Sequence, residues 1–293
     1  MSSMINTRAD FLPIIDCKPL RLPDGARLAV WVVVNVELWD INAPTPRQIS
    51  SYSMGPRPIP DVPNYSWYEY GLRVGFWRQK KVLDQHGVRA TLCLSGAICE
   101  THPRIVEESM KSNWEIMGHG YVQRPLASEA DERGVIRRTI AAIRQKTGRP
   151  PRGWLGPNLG ETPNTPDLLA EEGIEYVADW VNDDLPYRMK VKSGSLYSVP
   201  YTLEVNDGPI YVGQHHRSPE IFDRARDQFD TLYQEAAEGA RVMAIGVHPF
   251  ITGVPHRIKY LAAVFDYIER HPGVVFMTGG EILDWYKAAA ADR

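Results

Sequence analysis

The chain has 293 residues and a formal charge of −3, from 33 Lys and Arg against 36 Asp and Glu. That balance argues against nucleic acid or an anionic membrane as the main partner, since both select a strong positive excess. Hydrophobic residues at 43% and charged residues at 24% describe a globular chain long enough to bury a core without staples. Three cysteines, Cys17, Cys93 and Cys99, cannot all pair and have neither zinc-site nor redox spacing, so reduced thiols are expected. The N-terminal residues mix charges and prolines with no apolar stretch of signal-peptide length. The most apolar run, 28–36, is far too short to cross a bilayer. A cytoplasmic protein is expected.

In chain order, LAVWVVVNVE (28–37) is apolar on both faces and dense in β-branched residues. A strand of a parallel sheet covered on both sides reads this way. A helix is predicted over 71–86, a strand over 89–94, a helix over 103–112 and a strand over 114–118. Residues 127–146 read as a long helix, 152–156 as a short strand, 165–173 as a helix and 174–179 as a strand. The helix at 165–173 has Pro in its first turn and Gly after its end. Then come SLYSVPY (195–201), a helix near 219–238, a strand over 241–247, a helix over 256–270, a strand over 274–278 and a closing helix. Roughly seven βα units with no linker predict one domain over 1–293, a closed α/β barrel of about seven parallel strands. An open doubly wound sheet is the alternative. No Gly-rich phosphate loop opens a helix, so no dinucleotide site is expected. Residues 1–27 read as an N-terminal extension. Residues 41–70 and 181–218 interrupt the rhythm, and long loops of this kind are lids, rims or subunit contacts.

In a parallel barrel, chemistry gathers where strands end. Glu37 ends the first strand, His119 follows the third, Trp154 lies in the fourth, Asp179 and Trp180 follow the fifth, and His248 follows the 241–247 strand. A carboxylate after VWVVVNV is partly buried, which raises its pKa or requires a partner. Glu37, His119 and His248 can act as base and acid, or as parts of a metal site. His215 and His216 are adjacent in extended chain and read as an exposed loop.

At these residues the chain resembles the polysaccharide deacetylase-like (NodB-homology) superfamily, nearest to its allantoinase-like branch. The markers are VNVE, EIMGHGY, GWLGPNLGETPNTPDLLAEEG, DWVNDDLPY and HPFITGVPHR. The resemblance implies an irregular (β/α)-barrel hydrolase of non-peptide C–N bonds. Three features of the metal-dependent deacetylases are replaced. Glu37, followed by Leu38 and Trp39, stands for the paired Asp. Gln123 stands for the second His of His-x-x-x-His, and Leu155 for an Arg. The allantoinase-like branch implies ring-opening of a small cyclic amide or ureide with no required cofactor, by Glu37, His119 and His248. Trp154, Asp179, Trp180, Asp184 and Arg257 would bind substrate. If a divalent metal such as zinc binds, its ligands would be Glu37, His119 and Gln123. The alternatives are a metal-dependent sugar N-deacetylase and a non-catalytic binding protein on the same fold. A small-molecule substrate and a homo-oligomer are implied as partners.

Overall fold

The computed structural model describes residues 6–51, 53 and 55–290. The first five residues of the N-terminal extension, and Tyr52 and Met54 of the 41–70 segment, lie outside the described residues.

Among the described residues nine strands form one sheet: β1 (Leu28–Val36), β2 (Thr91–Leu94), β3 (Glu115–Gly118), β4 (Gly153–Trp154), β5 (Tyr176–Val177), β6 (Tyr187–Met189), β7 (Leu196–Ser198), β8 (Arg241–Val247) and β9 (Val274–Phe276). Their order is β6-β7-β5-β4-β3-β2-β1-β8, and β9 pairs β1. Every pairing is parallel except β6 with β7. β8 runs beside Leu28–Val34 of β1, while the opposite side of β1 takes β9 at its start and β2 at its end. The two outer edges of the curled sheet approach each other through a bridge between Asn206 and Gly246 and a hydrogen bond from Val242 N to Asp184 O of 3.1 Å. The barrel is thus irregular, as expected. The antiparallel β6 lies in a segment read from sequence as a loop.

Strand alternation divides the core. Leu28, Val30, Val32, Val34 and Val36 pack with helix residues such as Phe76, Ile105, Phe229 and Phe265. The alternate residues Ala29, Trp31 and Val33 pack with Cys93, Met117, Leu155, Tyr176, Val242 and Ala244, all from strands or strand ends. The second group fills the inside of the curl. Side chains two residues apart share a face. Continuing each inner series past its strand end gives Asn35 and Glu37, His119, and Gly246 and His248.

The helical stretch predicted over 71–86 begins earlier, at Val62. Asp61 caps it by accepting from Asn64 N at 3.4 Å, and Pro63 occupies the first turn. The run Val62–Tyr70 therefore takes helix out of the expected 41–70 loop. A π-helical turn at Gly71–Gly75 joins it to Phe76–Gln85. The glycines there answer a close approach: a Cβ on Gly75 would sit 2.0 Å from Pro249 O, and one on Gly71 2.7 Å from Phe250 N. The helix is pressed against the chain that carries His248, and Gln79 Nε2 donates to His248 O at 3.1 Å.

Candidate active site

Glu37, His119 and His248 come together at the C-terminal end of the curl. They are 5%, 3% and 6% exposed, so their charges must be matched by one another. His119 Nε2 lies 3.7 Å and His248 Nε2 3.5 Å from the same oxygen, Glu37 Oε1. These are ion-pair separations, longer than the hydrogen bonds around them. Gln123 Nε2 donates to Glu37 Oε1 at 2.9 Å and Trp39 Nε1 to Oε2 at 3.1 Å.

Both imidazoles are oriented from behind. His119 Nδ1 lies 2.6 Å from Leu155 O, and His248 Nδ1 lies 2.6 Å from Asp207 Oδ1. Neither oxygen can donate, so each Nδ1 carries hydrogen and each Nε2 faces Glu37. Asp207 is fully buried, and its Oδ2 also accepts from His248 N at 2.7 Å and Thr252 Oγ1 at 2.5 Å. Burial opposes the charged form of all three site residues, but mutual attraction prevails. Glu37 is held well below the usual carboxylate range by the two imidazoles. The Cys93 sulfur and Glu37 carry His119 up to about 10, and Asp207 and Glu37 carry His248 up to about 9. The arrangement favours the charged carboxylate and the protonated imidazoles together.

These side chains border a cavity of about 430 Å³, within the range of small-ligand sites. Asn35, Tyr201 and Asn206 form one wall. The Nδ2 atoms of Asn35 and Asn206 lie 2.9 and 3.1 Å from the Tyr201 hydroxyl. Asn158 and Leu159 form another wall, with φ of 63° and 53°. Left-handed backbone costs non-glycine residues energy, and two in succession mark a loop held in place by its surroundings. Arg47 and Gln48 reach the cavity from the 41–70 segment.

The five residues predicted to bind substrate lie outside this cavity's lining. Trp154 is fully buried against Leu126, Ile136 and Leu169, on the helix-facing side of the sheet. Its ring needs the space over Gly118, where a Cβ would be 2.9 Å from Trp154 Cε3. Strand alternation puts Leu155, and not Trp154, inside. Asp179 Oδ1 accepts from Gly156 N at 2.7 Å, which pins the turn that presents Leu155 O to His119. Burial and the neighbouring Glu161 push the Asp179 carboxyl up, and burial pushes Glu161 up to about 7. Trp180 Nε1 donates to Glu161 Oε1 at 3.1 Å, and its ring borders a separate pocket beside Arg8 and Thr162. Asp184 borders a groove of about 1540 Å³ beneath the N-terminal segment, which Glu37, His119 and His248 do not line. Arg257 stacks over the Tyr211 ring at 4.2 Å and donates to Ile251 O at 3.2 Å. His215 and His216 are exposed, as expected.

Sequence reasoning missed Asp207, Arg47, Asn35, Tyr201 and Asn206. Asn35 carried a signal, as the one polar residue inside an apolar strand. Asp207 did not, because Asn-Asp-Gly-Pro reads as a turn.

A buried acid between two oriented imidazoles thus stands at the C-terminal rim of a parallel barrel, where barrel enzymes keep their chemistry. The comparisons agree. Residues 65–177 match the family model described as polysaccharide deacetylase. A curated Schizosaccharomyces pombe protein described as a polysaccharide deacetylase is 31% identical, over 79% of this chain and 78% of that protein. The Helicobacter pylori peptidoglycan deacetylase is 25% identical over 72% of this chain and 83% of its own. Among solved structures, one named PuuE allantoinase superposes with a TM-score of 0.83 at 28% identity, covering 96% of this chain and 98% of that one. A Pseudomonas aeruginosa PAO1 structure described as a polysaccharide deacetylase gives 0.81 at 27% identity, covering 93% and 95%. The chain belongs to the polysaccharide deacetylase family.

A divalent metal is usual in that family. Here each Glu37 oxygen accepts from an N–H donor, Gln123 Nε2 on Oε1 and Trp39 Nε1 on Oε2. Among the described residues, no group of three or more His, Cys, Asp and Glu is arranged to hold a metal ion.

Proposed function

We propose that the protein hydrolyses a small cyclic amide or ureide by acid–base chemistry without a tightly bound metal. The observation that carries this reading is the convergence of two imidazole Nε2 atoms on Glu37 Oε1, at 3.5 and 3.7 Å, beside a cavity of about 430 Å³. A water on the cavity side of Glu37 gives its proton to the carboxylate as its oxygen attacks the carbonyl carbon. His119 Nε2–H donates to the developing oxyanion. The C–N bond breaks as the leaving nitrogen takes the Nε2 proton of His248. Glu37 then returns its proton to His248 Nε2, 3.5 Å from Oε1. The sum is one water consumed and one C–N bond opened. Asp207 positions His248 and steadies its charge. The PuuE allantoinase neighbour supports the cyclic-amide choice.

The decisive experiment is hydrolysis of hydantoins and cyclic imides beside N-acetylated chitooligosaccharides, before and after exhaustive chelation. Ring-opening that survives chelation and falls at least about 100-fold in Glu37→Gln is expected. Full loss on chelation, restored by one zinc per chain, overturns it. N-deacetylation of a sugar is the second reading, favoured by the two deacetylase relatives, and turnover of the oligosaccharide alone would establish it.

A further inference from the structure

Arg47, the one Arg or Lys among the described residues lining the cavity, has no anion partner. Arg47 arrives from the 41–70 segment, with its side chain reaching the cavity wall. Its Nη2 donates to Asn158 Oδ1 at a long 3.3 Å. Its Nη1 is buried and has no hydrogen-bond partner. No carboxylate among the described residues forms an ion pair with it, whereas Glu37 and Asp207 are matched by His119 and His248. A guanidinium keeps its charge across the accessible pH range and presents a planar fork of donors suited to a carboxylate. A buried donor left unmet is costly, and a ligand that meets it recovers that cost.

The position of this guanidinium is specific. A Cβ placed on Gly208 would lie 3.3 Å from Arg47 Nη1, 3.3 Å from Asn206 Oδ1 and 3.5 Å from His248 Cε1. The guanidinium and the His248 ring therefore flank the same backbone position, Gly208. The arm is also tied to the acid. Tyr68 OH donates to Arg47 O at 2.7 Å, the Tyr68 ring stacks on Trp39 at 4.2 Å, and Trp39 donates to Glu37. Asn158, which meets the other guanidinium nitrogen, is one of the two consecutive cavity-wall residues in left-handed backbone.

We propose that Arg47 is a specificity residue that grips a carboxylate on the substrate, close to the nitrogen that leaves, so that the preferred substrates are cyclic amides or ureides bearing an acid side chain. This rests on the cyclic-amide reading for the reaction but not for the binding. The test pairs hydantoin-5-acetate with 5-methylhydantoin, which share the ring and differ in the acid. The native enzyme should favour the acid by about 10- to 100-fold in kcat/KM, carried by KM, and Arg47→Met should bring the ratio near one. Calorimetry with succinate, which has no bond to hydrolyse, gives the second readout. Binding at least about tenfold weaker in Arg47→Met, with Arg47→Lys between, is expected. A thermal melt of each variant, with Arg47→Gln as a reserve, controls for folding. An acid-to-methyl ratio near one in the native enzyme, or succinate that binds native and Arg47→Met alike or neither, overturns the Arg47 assignment. Failure to open either hydantoin while succinate binding still depends on Arg47 overturns the cyclic-amide reading and upholds the anion site.

Discussion

Asp207→Asn isolates the part of the site that the sequence concealed. Three donors converge on the two Asp207 oxygens: His248 Nδ1 at 2.6 Å, His248 N at 2.7 Å and Thr252 Oγ1 at 2.5 Å. Asparagine has nearly the same shape but offers one oxygen and one NH2. Two of the donors share Oδ2, so the amide oxygen is retained there and the NH2 turns to the imidazole. Nδ1 must then accept, and the ring's single proton moves to Nε2. A neutral imidazole is a poor acid, so general-acid catalysis disappears, worth about 10²- to 10⁴-fold in kcat. Stability should fall by only about 1–3 kcal/mol, the cost of one charge-assisted hydrogen bond. The pH dependence gives a sharper sign. Burial lowers the His248 pKa, while Asp207 and Glu37 raise it to about 9. Native activity should therefore decline above about pH 9, and the variant's alkaline limb should move to lower pH. The assay is kcat and kcat/KM from pH 5 to 10 on two hydantoins whose leaving nitrogens differ in acidity, with the better leaving group suffering less. A variant within about threefold of native kcat at pH 7, with its alkaline limb unmoved, refutes the assignment of His248 as acid.

The charge arrangement also predicts stability against pH. The His119 and His248 pKa values are raised by folding to about 10 and about 9, so their contribution is complete below about pH 6.5 and lost as pH rises through those values. The Glu37 pKa is lowered, so its contribution holds above about pH 4.5 and is lost as pH falls. Melting temperatures should decline from pH 6.5 to 10 less steeply in His119→Gln than in the native protein, and equal slopes would contradict the pairing. Gly75→Ala places a Cβ 2.0 Å from Pro249 O and should cost about 1–3 kcal/mol by overpacking, read from urea midpoints, with kcat falling as His248 shifts. Trp154→Phe should lower stability while leaving KM unchanged, because the ring belongs to the core; a raised KM would return it to the substrate site.

The legible part of the fold was the part set by continuous apolar strands. β1 and β8 are buried on both faces and flanked by clear turns, so the strand-end rule located Glu37 and His248 without knowledge of neighbours. His119 followed from the same rule. Trp154 failed because β4 pairs over two residues, too few for alternation to be read from sequence. The helix from Val62 was hidden by prolines that also suit a loop. Asp207 and Arg47 were illegible for a different reason. Each acts through a partner more than thirty residues away in sequence, and only the closed curl brings the pairs together.

The stack of Trp39 on Tyr68 joins the acid to the arm that carries Arg47. The groups proposed for acid–base chemistry sit at strand ends, while Arg47 arrives on an irregular segment. The two can therefore diverge separately. Exchanging the segment around Arg47 should redirect the choice of substrate with the strand framework intact, provided an aromatic ring is kept to cover Trp39. Retargeting the enzyme is a problem of a few loop residues, and the barrel need not be redesigned.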